Sequence, residues 1–110
     1  DRISTAITYI RNHVSDELCI EKVAESLCVS KNYFIRIFKK ETGTTPANFI
    51  IRRKIEKAQL LLITSDVPVK QISLLVGFED FSYFSRVFKK IAGITPNEYR
   101  RCAKEHSMNG

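Results

Sequence analysis

Two segments of this 110-residue chain carry almost the same sequence. FIRIFKKETGTTP begins at Phe34 and FSRVFKKIAGITP begins at Phe84, and 8 of their 13 positions are identical. Further upstream the register slips by one, so that Val23 matches Ile72 and the second copy has an extra residue in its turn. A loop tolerates such an insertion at little cost. Two copies are too few for a solenoid, so the repeat predicts two similar subdomains.

Apolar residues recur every three to four positions, which predicts an all-α fold. The predicted helices are Ile3–Val14, Ile20–Leu27, Lys31–Thr42, Pro46–Thr64, Val69–Val76, Phe81–Ala92 and Pro96–Lys104. Candidate N-caps are Ser30, Thr45, Glu79 or Asp80, and Thr95 with Glu98 in a capping box, while Gly43 and Gly93 are candidate helix ends. We therefore expect seven helices in two homeodomain-like helix-turn-helix units: residues 1–45, a linker helix 46–64, and residues 65–110.

Each unit reads as a short helix, a turn and a longer helix, which is the helix-turn-helix outline. The turns are CVS in the first unit and GFED in the second. The longer helices have predicted core stripes at Phe34, Ile37 and Phe38, and at Phe84, Val87, Phe88 and Ile91. Their opposite faces carry Asn32, Ile35, Arg36 and Lys39, and Ser82, Ser85, Arg86 and Lys89.

These opposite faces have the chemistry of base-reading surfaces. The DNA major groove admits one α-helix, Arg pairs with guanine, and Asn pairs with adenine. Ser is an adaptable hydrogen-bonding side chain. Ile35 has two interpretations: it contacts a thymine methyl group, or it widens the apolar stripe.

The candidate phosphate contacts are basic side chains on and near the same helices: Lys31, Lys39, Lys40, Arg52, Arg53, Lys89 and Lys90. The Lys pairs also lie where they favour the negative end of a helix dipole, which is a sufficient structural reason for them. Arg52 and Arg53 equally suit a solvated helix face. Which role applies stays open at the level of sequence.

The linker length bears on how two such helices could be used. A helix of about 18 residues is about 27 Å long, while successive major-groove faces are about 34 Å apart on one side of DNA. A helical spacer of this size predicts two recognition helices in adjacent major grooves. The DNA site would be asymmetric, because the two faces differ.

Composition excludes several other classes of function. The net charge of +6 favours a polyanionic partner. The two His residues, His13 and His106, are far apart, and no phosphate loop, paired-carboxylate motif or metal spacing appears, so we expect no enzyme, cofactor or metal. Cys102 and His106 could share a helix face, but two ligands without a further cluster do not make a metal site. Structured RNA is a poorer ligand than DNA, because the RNA major groove is too deep and narrow for a helix.

The cellular setting follows from the cysteines and from the ends of the chain. Three Cys without C-x-x-C spacing favour a reducing, cytoplasmic environment. Without an 18-residue apolar run, membrane insertion is not expected. The absence of an initiator Met indicates a fragment of a longer protein, and the domain alone is expected to be a monomer.

The segment QISLLVGFEDFSYFSRVFKKIAGITPNEYRR, Gln71 to Arg101, resembles the DNA-binding domain of AraC/XylS-family bacterial transcription regulators. VAESLCVSKNYFIRIFKKETGTTPANFI resembles the first unit of that domain, and KIEKAQLLL resembles its linker helix. The resemblance covers nearly the whole chain.

The resemblance implies double-stranded DNA as ligand, read by the third and sixth helices. Carried onto this chain, the base-facing positions are Asn32, Ile35, Arg36, Phe81, Ser82, Ser85 and Arg86. Phe81 also has core spacing to Phe84. Lys54 stands where the family often has Arg and implies a preserved phosphate contact. An N-terminal effector, dimerisation or receiver domain is expected to be missing from this chain, and RNA polymerase is expected as a further partner.

Overall fold

The computed structural model describes residues 2–13 and 20–109, with side chains up to His106. Within these residues the chain forms seven α-helices and no strand. In order they are α1 (Arg2–Asn12), α2 (Ile20–Ser26), α3 (Lys31–Thr42), α4 (Pro46–Thr64), α5 (Val69–Leu75), α6 (Phe81–Ala92) and α7 (Pro96–Asn109). The all-α prediction is confirmed.

The predicted bounds of α3, α4 and α6 agree with the structure, while the other helices differ by a few residues. α2 and α5 each end one residue earlier than predicted, at Ser26 and Leu75. α7 continues past Lys104 to Asn109, because no Gly or Pro interrupts it there. The predicted end of α1 at Val14 lies outside the described residues.

Side-chain caps fix where the two longer helices of the helix-turn-helix units begin. The amide N–H of Tyr33 donates to Ser30 Oγ over 3.2 Å, and the amide N–H of Tyr83 donates to Asp80 Oδ1 over 3.2 Å. Asp80, rather than Glu79, is therefore the second N-cap. Both helices end on a left-handed glycine, Gly43 with φ +83° and Gly93 with φ +89°.

The N-terminus of α7 carries the predicted capping box. The amide N–H of Thr95 donates to Glu98 Oε1 over 3.0 Å, and the amide N–H of Glu98 donates to Thr95 Oγ1 over 3.2 Å. These bonds satisfy two backbone donors that a helix start otherwise leaves unpaired. The carboxylate is stabilised in turn, because the N–H donated by Thr95 holds the pKa of Glu98 below its usual range.

The chain divides into two compact units, and the boundary falls inside α4. Unit 1 is Asp1–Arg53 and unit 2 is Lys54–Gly110. The core of unit 1 contains Ile3, Ala6, Ile10, Val23, Ala24, Phe34, Phe38 and Ile50. Phe38 packs edge-on against both Phe34 and Phe49, with ring centroids 5.6 and 5.4 Å away. Ile37 is half-buried and packs against this core, so it lies at the edge of the predicted core stripe of α3.

Unit 2 has an aromatic core of its own. Phe84 and Phe88 are fully buried, and Phe78 packs edge-on against Phe84 with ring centroids 5.2 Å apart. Tyr99 of α7 packs edge-on against Phe88 at 5.6 Å. The buried Phe pair of α6 matches that of α3, whereas Val87 and Ile91 are half-buried, as Ile37 is in α3.

Arg100 ties α7 to the end of α4 in unit 2. Its Nε donates to the carbonyl oxygen of Leu62, and its terminal nitrogen donates to that of Ser65, both over 3.1 Å. The Leu62 carbonyl is in the last turn of α4, where carbonyls lack partners within the helix, and Ser65 directly follows the helix. One planar guanidinium therefore supplies a donor to each of the two carbonyls. Beside it, Lys104 Nζ donates to Asp66 Oδ1 over 2.8 Å.

The two helix-turn-helix turns are built alike and differ by one residue. The amide N–H of Val29 donates to Ala24 O over 3.1 Å, as that of Phe78 donates to Ser73 O over 2.8 Å. The residue before each donor has a positive φ: +59° at Cys28 and +99° at Gly77. In the first turn the N-cap Ser30 directly follows Val29. In the second turn Glu79 lies between Phe78 and the N-cap Asp80, so Glu79 is the additional residue. The register slip inferred from the sequence is thus confirmed.

Candidate nucleic-acid interface

The polar face of α3 stands clear of the unit 1 core. Asn32 and Arg36 are exposed, as are Lys39 and Lys40 in the last turn. Ile35 is half-buried, which leaves both interpretations of this residue open: contact with a thymine methyl group, or a wider apolar stripe.

The matching face of α6 has the same arrangement with different side chains. Ser82 and Arg86 are exposed, and Ser85, at the position that corresponds to Ile35, is half-buried. Phe81 is also half-buried, and its ring stacks on that of Phe84 with centroids 6.3 Å apart. Phe81 therefore has a packing role in unit 2, with part of its ring still accessible to a ligand.

In both helices the exposed arginine lies over an exposed tyrosine. Arg36 Cζ is 5.5 Å from the centre of the Tyr33 ring, and Arg86 Cζ is 6.0 Å from the centre of the Tyr83 ring. These distances are typical of cation–π contacts. Residues three apart on a helix are surface neighbours, so the repeated sequence gives each helix the same exposed pair.

Sequence reasoning missed the two tyrosines as parts of the site. The signal was present, because Tyr33 and Tyr83 extend the identity of the repeat by one residue upstream of Phe34 and Phe84. Tyr33 and Tyr83 are 39% and 41% exposed, so the shared aromatic residue lies at the surface rather than inside the core.

Several predicted phosphate contacts already have partners within the chain. Lys31 Nζ lies 2.8 Å from Glu21 Oε1, so a phosphate would have to compete with this carboxylate. Arg53 is half-buried and its Cζ lies 5.4 Å from the centre of the Phe49 ring. Arg52 is exposed, as are Lys89 and Lys90 at the end of α6.

Lys54, for which the sequence suggests a phosphate contact, makes its contacts within unit 2. Its Nζ donates to the carbonyl oxygen of Gly77 over 3.1 Å and lies 5.5 Å from the centre of the Phe78 ring. Burial lowers the pKa of this lysine below its usual value. The ammonium group of Lys54 therefore binds to the turn between α5 and α6.

Other kinds of site find little support in the described part of the chain. Cys102 and His106 are both exposed on α7. Across residues 2–13 and 20–106, no three His, Cys, Asp or Glu side chains are grouped so as to hold a metal ion. The helices that the structure describes include none with the length and apolar character needed to cross a membrane.

Residues 23–102 match the family model described as "Helix-turn-helix domain". The chain is also 37% identical over 100 residues to the xylose operon regulatory protein of Escherichia coli (strain K12). The chain belongs to the AraC/XylS family. The alignment with the xylose regulator covers 91% of this chain but 26% of the regulator, so the chain corresponds to about a quarter of that relative. The family assignment inferred from sequence motifs is confirmed.

Solved structures of AraC-type domains share the fold. The C-terminal domain of AraT, a response regulator from Geobacillus stearothermophilus, is 38% identical, with a TM-score of 0.87 over 92% of this chain and 84% of that one. The DNA-binding domain of the global transcriptional factor AdpA, crystallised with a target DNA, is 25% identical. Its TM-score is 0.92 over 100% of this chain and 99% of the AdpA chain. The chain is thus a helix-turn-helix domain homologous to AraC-family transcription regulators.

Proposed function

We propose that this domain binds double-stranded DNA sequence-specifically, with α3 and α6 as its two recognition helices. The observation that carries the proposal is the duplicated helix: each copy is N-capped, anchored by two buried Phe, and presents an exposed Arg on its polar face. Arginine pairs bidentately with the O6 and N7 atoms of guanine. The crystal structure of the AdpA domain with a target DNA supports this ligand class.

The base contacts are proposed for the side chains on the polar faces of the two helices. They are Asn32, Ile35 and Arg36 of α3, and Phe81, Ser82, Ser85 and Arg86 of α6. Asn32 suits adenine, and the accessible part of Ile35 suits a thymine methyl group. Phe81 also has a packing role, since its ring stacks on Phe84.

The phosphate contacts are proposed for basic side chains around these faces: Lys31, Lys39, Lys40, Arg52, Arg53, Lys89 and Lys90. Cations that neutralise phosphates release counterions, so affinity should fall steeply with salt. The net charge of +6 agrees with a polyanionic ligand.

The two helices are proposed to enter adjacent major grooves of an asymmetric site. The difference between their faces supports the asymmetry, because Asn32 and Ile35 in α3 correspond to Ser82 and Ser85 in α6. A symmetric dimer would read a palindrome, whereas one chain with two different helices reads two different half-sites.

In the cell we propose that the domain is the non-enzymatic output part of a longer bacterial transcription regulator in the cytoplasm. The homologous regulatory proteins, of which it covers about a quarter to a third, support this role. An N-terminal effector, dimerisation or receiver domain would supply the signal, and RNA polymerase would be the protein partner. The domain alone is proposed to be a monomer.

Selection of binding sites from random duplexes tests the proposal. The proposed function predicts two conserved boxes about one helical turn, or 10 base pairs, apart, with different sequences. A single conserved box would show that only one unit reads sequence and that the other has a structural role. Recovered duplexes without any conserved box would exclude sequence-specific recognition.

A further inference from the structure

Tyr33 and Tyr83 are large aromatic side chains that both copies of the repeat keep at the surface. They are 39% and 41% exposed, whereas the neighbouring Phe34 and Phe84 are fully buried. Burial in the core therefore accounts for the Phe that both copies share, but not for the exposed face of the Tyr beside it. An exposed aromatic face that both copies share indicates a role at the surface.

On its exposed side, each tyrosine contacts the arginine three residues further along the helix. The distances from Cζ to ring centre are 5.5 Å for Arg36 over Tyr33 and 6.0 Å for Arg86 over Tyr83. Long side chains on a helix point toward its N-terminus. The guanidinium of each Arg therefore extends over the ring of the Tyr three residues before it. In unit 2 the tyrosine is itself supported, because the Phe78 and Tyr83 ring centroids are 6.0 Å apart.

The arginines have no competing restraint in the described part of the chain. Within residues 2–13 and 20–106, neither Arg36 nor Arg86 forms an ion pair with a carboxylate. An unrestrained Arg would lose considerable rotamer freedom when it contacts a base. A ring that already holds the guanidinium lowers this entropic cost before the ligand arrives.

We propose that Tyr33 and Tyr83 are positioning residues that hold the guanidinium groups of Arg36 and Arg86 in the orientation used for base recognition. This proposal rests on the proposed function, since it assumes that these arginines contact bases. The ring, and not the hydroxyl, carries the effect. The competing role is a hydroxyl contact to phosphate, which would add affinity without sequence preference.

The test compares Tyr33→Phe, Tyr33→Leu and Arg36→Ala in the 110-residue chain. Each variant is titrated with the selected duplex and with a duplex changed at the base pair where Arg36→Ala loses discrimination. Tyr33→Leu should lower the ratio of the two affinities about two- to fivefold, the size expected of an exposed cation–π contact. Tyr33→Phe should keep the wild-type ratio, and the salt dependence should be unchanged in both, because no phosphate contact is lost.

Three controls separate the positioning role of Tyr33 from other effects of the substitution. In the Arg36→Ala background, Tyr33→Leu should have no further effect on discrimination. The Arg36 side-chain proton resonances of the free protein should show a ring-current shift that Tyr33→Phe keeps and Tyr33→Leu removes, which reports positioning even if leucine loosens the helix. The corresponding set at Tyr83 and Arg86 should affect a different base pair.

Two results would overturn the positioning role: wild-type discrimination in Tyr33→Leu, or equal loss of affinity for all duplexes in Tyr33→Phe. The latter would indicate a phosphate contact by the hydroxyl. If Arg36→Ala itself kept wild-type discrimination, the proposed function of α3 would fail, whatever the tyrosine variants did.

Discussion

The ammonium group of Lys54 donates a hydrogen bond to the carbonyl oxygen of Gly77 over 3.1 Å. This bond joins the middle of α4 to the turn that precedes α6, and the Phe78 ring lies beside it. Lys54 thereby stabilises the turn from which the second recognition helix starts. Its position in the chain suggested a phosphate contact, but its contact in the folded domain is internal.

Lys54→Met should destabilise unit 2 while keeping most of the aliphatic packing. The variant removes a charged donor and leaves the Gly77 carbonyl without it, so we expect a loss of about 1–2 kcal/mol in the free energy of unfolding. Lys70→Met, at an exposed position of α5, is the matched control and should change stability by less than about 0.5 kcal/mol. Equal denaturation midpoints for the two variants, with a shallower salt dependence of DNA binding only in Lys54→Met, would restore the phosphate role.

The positive φ angles in the two turns predict that Cys28→Gly and Gly77→Ala have opposite effects on stability. Cys28 has φ +59°, a conformation that costs a residue with a side chain about 1–2 kcal/mol. Cys28→Gly relieves this strain but gives the unfolded chain more freedom, so a net gain of up to about 1 kcal/mol is expected. Gly77→Ala, at φ +99° in the equivalent turn, should lose about 1 kcal/mol or more. Thermal melts of both variants check this, and a Cys28→Gly protein that melts earlier than wild type would contradict it.

Glu98 predicts a pH-dependent contribution to stability. Its pKa is lowered in the folded domain by the hydrogen bond from the Thr95 N–H, with smaller effects from Arg101 and Lys89. The ionised carboxylate therefore stabilises the fold above the unfolded-state pKa near 4.5, and this stabilisation is lost as pH falls through the lower folded-state value.

The variant Glu98→Gln keeps a capping oxygen but cannot ionise. It should be less stable than wild type at pH 7, and the difference should shrink as the pH is lowered from 5 toward 2. Glu105→Gln, farther along the same helix, is the control for general charge effects. A Glu98→Gln difference that stays constant over this pH range would show that the charge of the cap is unimportant.

The ion pair between Glu21 and Lys31 predicts a variant that binds DNA more tightly. The atoms Nζ and Oε1 are 2.8 Å apart at an exposed site, where such a pair contributes little to stability. Glu21→Gln should leave stability nearly unchanged, remove a carboxylate that competes with phosphate for Lys31, and raise affinity about two- to fivefold at low salt. Glu25→Gln on the same helix removes a charge without this pair, so equal gains for both variants would contradict a specific role for Lys31.

The features that the sequence predicted well are those set by local chemistry. Ser30, Gly43 and the Thr95–Glu98 box define helix ends through contacts within a few residues, so their spacing was enough to place them. The local sequence does not decide between Glu79 and Asp80, because both can cap a helix and only the path of the turn selects one. The sequence predicts too early an end for α7, because a polar helix end has no apolar pattern.

Contacts between distant residues were harder to predict. The Lys54–Gly77 bond spans 23 positions, and nothing in the local sequence of Lys54 indicates it. The polar faces of α3 and α6 followed from helical periodicity. The half-burial of Ile35, Ser85 and Phe81 depends on how neighbouring side chains pack, as does the placement of each Arg over a Tyr.

The central claim, that one chain reads two different half-sites with two helices, is tested most directly by comparing Arg36→Ala with Arg86→Ala. Each variant is assayed on the selected duplex and on all its single-base changes at fixed salt. The claim predicts that each variant loses about 1–3 kcal/mol of binding free energy and relaxes sequence preference in a separate box, about one helical turn apart. If both variants kept the wild-type preference at every position, or both relaxed the same box, recognition by two helices would be contradicted.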